Sequence, residues 1–214
     1  MQILGLADDL DIVGRRHNEV VETYINLKRE AEKVGLVTNV SKTKYMKTCD
    51  GLVPNQHQNL VNIDGQDFEV VDEFVYLGAL TRKDNDISLE IKRRIMSANR
   101  SYHGLQRHLR SKILTKKTKL SIYKTLIRPV LTYGSESWPL TKKDENLLLS
   151  FERKVLRTIF GAKLEDGRHR RRYNFELEQD FGEPNIISVV KCNRLIWAGH
   201  LVRMDPNRVR IIRK

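Results

Sequence analysis

The hydrophobic pattern of this 214-residue chain changes its period near residue 86. Before that point, apolar residues form short runs separated by Asp, Asn and Gly, a pattern typical of short strands and turns. Beyond it, apolar residues recur every three or four positions, as along the buried side of an amphipathic helix. The first members of this stripe are Ile87, Ile91, Ile95, Ala98, Tyr102, Leu105 and Leu109. The pattern predicts an α+β fold that is predominantly helical, with a small β-hairpin/helix region at 1–85 and a helical region at 86–214.

The first region is expected to begin with a β-hairpin and a helix. Residues 3–7 are apolar, as are Leu10, Ile12 and Val13, and the turn-forming pair Asp8-Asp9 lies between the two runs. Asn18 is the expected N-cap of the helix that follows, and Gly35 is its expected C-terminal stop. Further short strands are predicted at 36–39 and 45–46, and a polar loop or weak strand pair at 49–67. A second hairpin is predicted to pair 68–71 with 74–78 across Asp72-Glu73.

The second region is expected to contain four main helices. The first follows the apolar stripe, and Pro129 is expected to kink or end the second, because proline lacks an amide N–H. Gly161 is the expected stop of the third helix, and 168–172 falls in a hydrophilic connector. The expected N-caps of the second and third helices are Thr115 and Thr141, and the last helix is expected to run from about Asn185 to Met204.

The net charge of +12 is unevenly distributed along the chain. Residues 1–90 carry 10 Lys and Arg against 16 Asp and Glu, whereas residues 91–214 carry 29 against 11. Charge segregated in this way indicates that the second region faces a polyanion, most often a nucleic acid. Solvated helix faces remain the alternative interpretation.

Several classes of protein are disfavoured by the composition. No run approaches the roughly 18 apolar residues of a membrane-spanning helix, and the N-terminus does not resemble a secretory signal. Cys49 and Cys192 are too few for a disulfide framework or a four-ligand zinc site. Neither a phosphate-binding P-loop nor a Gly-x-Ser-x-Gly elbow occurs. We therefore expect an intracellular protein, in the nucleus or cytoplasm, with no membrane partner.

The adjacent carboxylates Asp8 and Asp9 form the clearest candidate for chemistry. At a turn, two neighbouring side chains can reach the same divalent cation, which they cannot do from a regular strand. Mg²⁺ favours such oxygen ligands, and pairs of these ions catalyse phosphoryl transfer. An Asp-Asp pair that serves as a plain turn remains the alternative.

A family resemblance gives these residues a context. The chain contains, in order, Ala7-Asp8-Asp9 between apolar runs, an amphipathic helix, Gly35-Leu36, Asn39 with Lys42-Thr43-Lys44, and Tyr76-Leu77-Gly78. This order resembles the reverse transcriptases of non-LTR (LINE-type) retrotransposons. The closing segment 194–200, with the sequence RLIWAGH, is similar to the downstream region of those proteins, so the resemblance covers nearly the whole chain.

The resemblance implies a role for each block. Residues 1–85 would be the end of a polymerase palm, and 86–214 a basic thumb-like and downstream region. Asp8 and Asp9 match the catalytic carboxylates that bind Mg²⁺. Lys42 matches a basic position that is thought to protonate the leaving pyrophosphate, although a solvated turn lysine is the alternative. The segment from Tyr76 through Leu77 to Gly78 matches the hairpin that supports the primer terminus.

The resemblance also implies what the chain lacks. The remaining catalytic carboxylate of these enzymes lies on a palm strand well upstream of the Asp-Asp hairpin, as do the nucleotide-binding fingers. We therefore expect a fragment of an RNA-directed DNA polymerase that is inactive alone. The alternative function is that of a non-enzymatic, basic nucleic-acid-binding protein derived from a retroelement.

The basic second region supplies the expected contacts with nucleic acid. A polymerase thumb holds RNA or an RNA–DNA duplex by its phosphates, which requires Lys and Arg rather than base-reading groups. The candidate residues are Lys92, Arg93, Arg94, Arg100, Arg107, Arg110, Lys116, Lys117, Lys119, Arg168, Arg170, Arg171 and Arg172. The first hairpin, without sheet neighbours, is also expected to leave an open palm edge for self-association.

Overall fold

A computed structural model describes residues 1–48 and 59–204 of the chain. Its fold is α+β and predominantly helical, which confirms the predicted fold class. The described residues divide into two compact units, Met1–Asp86 and Ile87–Met204. Cys49 and residues 50–58 of the predicted polar loop at 49–67 lie outside the described residues. Residues 59–67 of that loop are described.

The first unit consists of hairpins and one long helix. Strands β1 (Gln2–Leu6) and β2 (Asp9–Val13) form a two-stranded antiparallel sheet, and helix α1 (His17–Lys33) follows. Its remaining strands are β3 (Lys44–Tyr45), β4 (Leu60–Ile63), β5 (Gln66–Val70), β6 (Glu73–Tyr76) and β7 (Ala79–Arg82). Strand β5 pairs with β4 and β3, whereas β6 pairs with β7.

The pairing of β5 differs from the sequence prediction. The predicted hairpin across Asp72-Glu73 is wrong, because both strands turn at other places. Asp64 and Gly65 have φ values of 51° and 73°, and Leu77 and Gly78 have 46° and 80°. Positive φ at both central residues is the signature of a tight two-residue hairpin loop. These loops fold β5 back onto β4 and β6 forward onto β7.

Two further local predictions in this unit are wrong, and one is confirmed. Helix α1 begins at His17, one residue before the expected cap Asn18, and Arg16 at the N-cap makes no side-chain capping bond. Residues 36–39 form no strand. The helix ends as expected at Gly35, whose φ is 78°. The amides of Gly35 and Leu36 donate to the carbonyls of Glu32 and Ala31, which satisfies the helix end.

The second unit contains most of the helices. Helix α2 spans Ser88–Arg110, and α3 spans Lys116–Ile122. A π-helical turn at Tyr123–Ile127 leads into the short helix α4 (Arg128–Thr132). After a 3₁₀ turn come helix α5 (Lys142–Phe160), strands β8 (Lys163–Glu165) and β9 (Arg168–Arg170), helix α6 (Asn174–Phe181) and helix α7 (Ile186–Arg203). Among the described residues, no helix is both long enough and apolar enough to cross a membrane.

The expected helix caps of this unit, Thr115 and Thr141, are confirmed. Thr115 accepts a hydrogen bond from the amide of Thr118 at 3.2 Å, and Asn185 accepts one from Ser188 at 3.0 Å. Thr141 and Asp144 form a reciprocal capping box at the start of α5. Pro129 is preceded by the π-helical turn, since its missing N–H and bulky ring disturb the regular α-helical bonding of the previous turn.

The predicted connector that contains 168–172 is in part a hairpin. Strands β8 and β9 pair antiparallel around Asp166 and Gly167, whose φ values are 49° and 75°. The core of this unit is one apolar cluster to which α2, α5, α6 and α7 all contribute; Ile91, Val155, Leu177 and Ile186 are among its fully buried members. This cluster fixes which faces of the helices are exposed.

Candidate functional site

The Asp-Asp pair lies at the end of the first hairpin, but its two members occupy different positions. Leu6 is paired with Asp9, so the connecting loop consists of Ala7 and Asp8. Asp9 is therefore the first residue of β2 and not a turn residue, which corrects the sequence assignment. Both carboxylates belong to exposed residues, and Ala7 adopts a left-handed backbone with φ of 55°.

Tyr76 is brought near the carboxylates of β2. Asp9 and Asp11 point to the same face of the strand, because side chains alternate along it. Partial burial raises the pKa of Asp11. Partial burial, followed by the charges of Asp11 and Asp9, raises the pKa of the Tyr76 phenol. The predicted primer-contact hairpin therefore lies within electrostatic range of β2, with Leu77 and Gly78 forming its exposed turn.

Lys42 lies in a turn that Asn39 organises. The amide of Lys42 donates to the backbone carbonyl and the side-chain oxygen of Asn39, both at 3.2 Å. The Ser41 hydroxyl donates to the same Asn39 side chain at 2.8 Å. This bonding holds the backbone and leaves Lys42 exposed. Its role as a proton donor stays a prediction.

The side chains around Asp8 do not provide a two-metal site. Such a site binds two ions about 3.5–4 Å apart and needs carboxylates from more than one strand. Among residues 1–48 and 59–204, no group of three or more His, Cys, Asp or Glu side chains is placed to hold a metal ion. The described donors around Asp8 therefore do not fit the Mg²⁺ pair that the resemblance implies.

The basic residues of α2 divide into an exposed stripe and a paired set. Lys92, Arg100, Arg107 and Arg110 are exposed and fall within about 80° of the helix circumference, opposite the buried face. Among the described residues, none of the four forms an ion pair with a carboxylate. We call these four residues the α2 stripe.

Arg93 and Arg94 do not belong to the α2 stripe. Both pair with Glu90, which is 1% exposed, and the Arg94 side chain is only 12% exposed. The Arg94 guanidinium also lies 4.5 Å from the ring centre of Tyr133. Contact of Arg94 with phosphate stays a prediction, at a position where its charge is paired and largely covered.

The lysines of α3 also differ in exposure. Lys116 and Lys117 are exposed, and the Lys116 ammonium lies 5.9 Å from the ring centre of Phe160. Lys119 is only 8% exposed, because its position on α3 faces the interior. Binding of nucleic acid by Lys119 stays a prediction, at a position with little exposed surface, whereas Lys116 and Lys117 are accessible.

The arginines of 168–172 have unequal environments. Arg168 and Arg171 are exposed. Arg170 is engaged by Glu165 and Glu176, and the interactions with Glu176 are 2.7 and 2.8 Å long. Arg172 donates to the carbonyl of Gly161 at 3.1 Å and to Asp180 at 2.7 Å. Arg170 and Arg172 therefore stabilise the local fold, and Arg168 and Arg171 are available for a ligand.

Arg157, a cationic residue near this hairpin, is not among the nucleic-acid-binding residues predicted from the sequence. Arg157, in the last turn of α5, faces the segment that follows β9 and donates to the carbonyl of Arg172 at 3.4 Å. Its position four residues before the helix-ending Gly161 was a usable signal, since basic side chains favour that end of a helix. The sequence does not reveal that Arg157 and Arg171 come together.

Comparison with known proteins points to a transposon origin for this chain. The chain is 26% identical over 205 residues to an uncharacterized transposon-derived protein of Caenorhabditis elegans, a match that covers 96% of this chain and 73% of that protein. No protein-family model and no solved structure matches the chain. The similarity, which extends along nearly the full chain, supports a transposon origin.

Proposed function

We propose that this chain descends from the reverse transcriptase of a non-LTR retrotransposon and binds an RNA–DNA duplex through its helical unit. The order of the Asp8-Asp9, Lys42 and Tyr76 blocks supports this ancestry. The similarity to a transposon-derived protein agrees with it. In this proposal the chain holds nucleic acid without catalysing nucleotide transfer by itself.

The α2 stripe is the observation that carries the binding proposal. From Lys92 to Arg110 it extends about 27 Å at about 1.5 Å per residue, which is long enough to lie along several successive phosphates of one strand. The helix contains one acidic residue, Glu90, and that carboxylate is buried and paired with Arg93 and Arg94. The stripe therefore presents cations to solvent without a competing carboxylate on the same face.

The chemistry of the stripe favours binding that does not depend on base sequence. Lys and Arg contact phosphates, and phosphates carry no sequence information. Stacking on bases requires exposed aromatic rings, whereas Tyr102 of α2 is buried and donates or accepts a 2.8 Å hydrogen bond with Thr158. We expect an affinity that falls steeply as salt concentration rises.

The binding proposal is tested with a fluorescently labelled RNA–DNA duplex and two charge-matched double variants. Arg107→Gln with Arg110→Gln removes two cations from the α2 stripe. Lys142→Gln with Lys143→Gln removes two exposed cations from the start of α5. Anisotropy titrations from about 50 to 200 mM salt measure the slope of log affinity against log salt.

We expect the stripe variant to reduce that slope by about two, because each phosphate contact contributes about 0.9. The α5 variant should leave the slope unchanged. Equal losses in both variants would refute the assignment of the α2 stripe. An affinity that is insensitive to salt would refute binding through phosphates.

The absence of catalysis is tested separately by primer extension with Mg²⁺ and the four dNTPs. We expect no templated incorporation by the purified chain, since Asp8 and Asp9 are not joined by a third described ligand. Incorporation that Asp8→Ala abolishes would show that the chain is a polymerase. Incorporation that survives Asp8→Ala would indicate a contaminating enzyme.

A further inference from the structure

A cavity of about 300 Å³ lies at the C-terminal end of α5. Arg157, Gly161 and Ala162 line one wall, and residues 169–172 line the other. The volume is at the lower end of the roughly 300–1,000 Å³ range of small-molecule sites. Those sites are mostly apolar, whereas this one is lined by arginines and a histidine. Its composition suits a small anion.

Two of the arginines in the cavity wall are fixed by other groups. The carboxylates of Glu165 and Glu176 hold Arg170, and Glu176 also accepts from Lys163 at 2.7 Å and from the Tyr173 amide at 2.8 Å. Arg172 ties the wall to the end of α5 through its bond to Gly161. These contacts set the shape of the cavity before any ligand binds.

Arg157 and Arg171 provide the uncompensated charge. Arg157 donates to the side-chain oxygen of Asn174 at 2.7 Å and to a backbone carbonyl, and both acceptors are neutral. Burial, followed by repulsion from Arg171 and Arg153, lowers the pKa of Arg157. Among the described residues, Arg171 has no ion pair or side-chain hydrogen bond. An anion between the two guanidiniums would relieve their repulsion.

We infer that this cavity binds one phosphate group between Arg157 and Arg171, with His169 at its edge. Guanidinium groups bind phosphate oxygens through paired, charge-assisted hydrogen bonds. The inference rests on the proposed nucleic-acid binding for the source of the phosphate, which is the backbone of a bound strand. A free phosphate ion offers the same chemistry, and the experiment below separates the two sources.

The test compares Arg171→Gln with Arg168→Gln in duplex binding. Both arginines are exposed and lie near or on β9, but Arg168 does not line the cavity. Neither substitution removes a bond that the fold needs, so both variants should fold. We expect Arg171→Gln to weaken binding about tenfold, equivalent to about 1.4 kcal/mol, and Arg168→Gln to weaken it less than about threefold. Equal losses, or no loss with Arg171→Gln, would overturn the inference.

A second measurement distinguishes failure of the cavity from failure of the proposed function. Inorganic pyrophosphate should raise the melting temperature of the wild-type chain above that in chloride of equal ionic strength, and Arg171→Gln should abolish the increase. Stabilisation by pyrophosphate without duplex binding would support a phosphate site in the cavity and refute a nucleic-acid strand as the source of the phosphate. Duplex binding with no stabilisation and no effect of Arg171→Gln would refute the cavity alone.

Discussion

In the helical unit a single apolar cluster joins helices from α2 to α7, whereas in the first unit the buried apolar cluster is formed by Tyr24, Ile63 and Phe68. The helical cluster includes side chains as large as Trp138, which is 1% exposed. Burying a large side chain contributes roughly 1.5–3 kcal/mol, so the helical unit obtains far more stability from packing. The first unit depends to a greater extent on its turns and strand pairing.

The first hairpin of the first unit exposes several large apolar side chains. In the β1–β2 hairpin, Leu4, Leu6 and Leu10 are 47%, 59% and 53% exposed, and among the described residues no third strand extends this sheet. An open two-stranded sheet with exposed leucines is a template for pairing with another chain. Self-association through this edge stays a prediction. The difference shows that stability from apolar packing is concentrated in the helical unit.

The largest expected effect concerns the two tryptophans, both of which belong to the helical unit. Trp138→Ala should lower the free energy of unfolding by about 3–5 kcal/mol, because it leaves a cavity in the apolar cluster. Urea titration followed by circular dichroism at 222 nm measures the loss. Trp197 is 45% exposed, so Trp197→Ala should change stability by less than about 0.5 kcal/mol. Similar effects of both substitutions would break the comparison.

A smaller loss is expected at the buried carboxylate that ties α5 to its neighbours. Glu152, which is 2% exposed, accepts from the Tyr123 hydroxyl at 2.8 Å and from the Ile186 amide at 2.9 Å. Glu152→Ala leaves both donors without their partner and should cost about 2–3 kcal/mol. The Ser150→Ala control, at an exposed position of the same helix, should have little effect on the urea midpoint.

The Glu152 carboxylate also makes the stability of the folded chain depend on pH. Burial raises the pKa of Glu152 in the folded chain above its ordinary value of 4.5. The folded chain therefore binds this proton more tightly than the unfolded chain does. The stability that the proton contributes is fully present below pH 4.5 and is lost as the pH rises through the pKa of Glu152 in the folded chain. Wild-type stability relative to Glu152→Gln should fall over this window. A difference that rises with pH would show that burial is not the dominant influence.

The smallest expected effect is a gain in the first unit. Ala7 has a positive φ, which an alanine adopts with strain, so Ala7→Gly should stabilise the β1–β2 hairpin by about 1 kcal/mol. Amide hydrogen exchange of β1 and β2 measures this gain. In helix α1, Ala31→Gly should instead destabilise by about 1 kcal/mol. A lower stability of the hairpin in Ala7→Gly would show that backbone strain at this turn does not limit the stability of the first unit.

The sequence predicts local features well where one residue decides them. Thr115 and Thr141 cap their helices as expected, because a cap bond reaches only a few residues along the chain. Strand partners are harder to predict from the sequence, since adjacent apolar runs permit more than one pairing. The Asp64-Gly65 and Asp166-Gly167 pairs in fact carried the signal for two hairpins, through their tolerance of positive φ.

For the candidate site, the sequence alone determines the change from strand to helix near residue 86, the excess of positive charge beyond it and the position of Lys92 and Arg107 on the outer side of α2. These follow from helical period and composition. Only the tertiary structure decides that Glu176 pairs with Arg170, that Lys119 is buried and that Arg157 and Arg171 line the same cavity. The physical reason is that ion pairing and burial depend on contacts between different elements of the fold, which no local sequence pattern specifies.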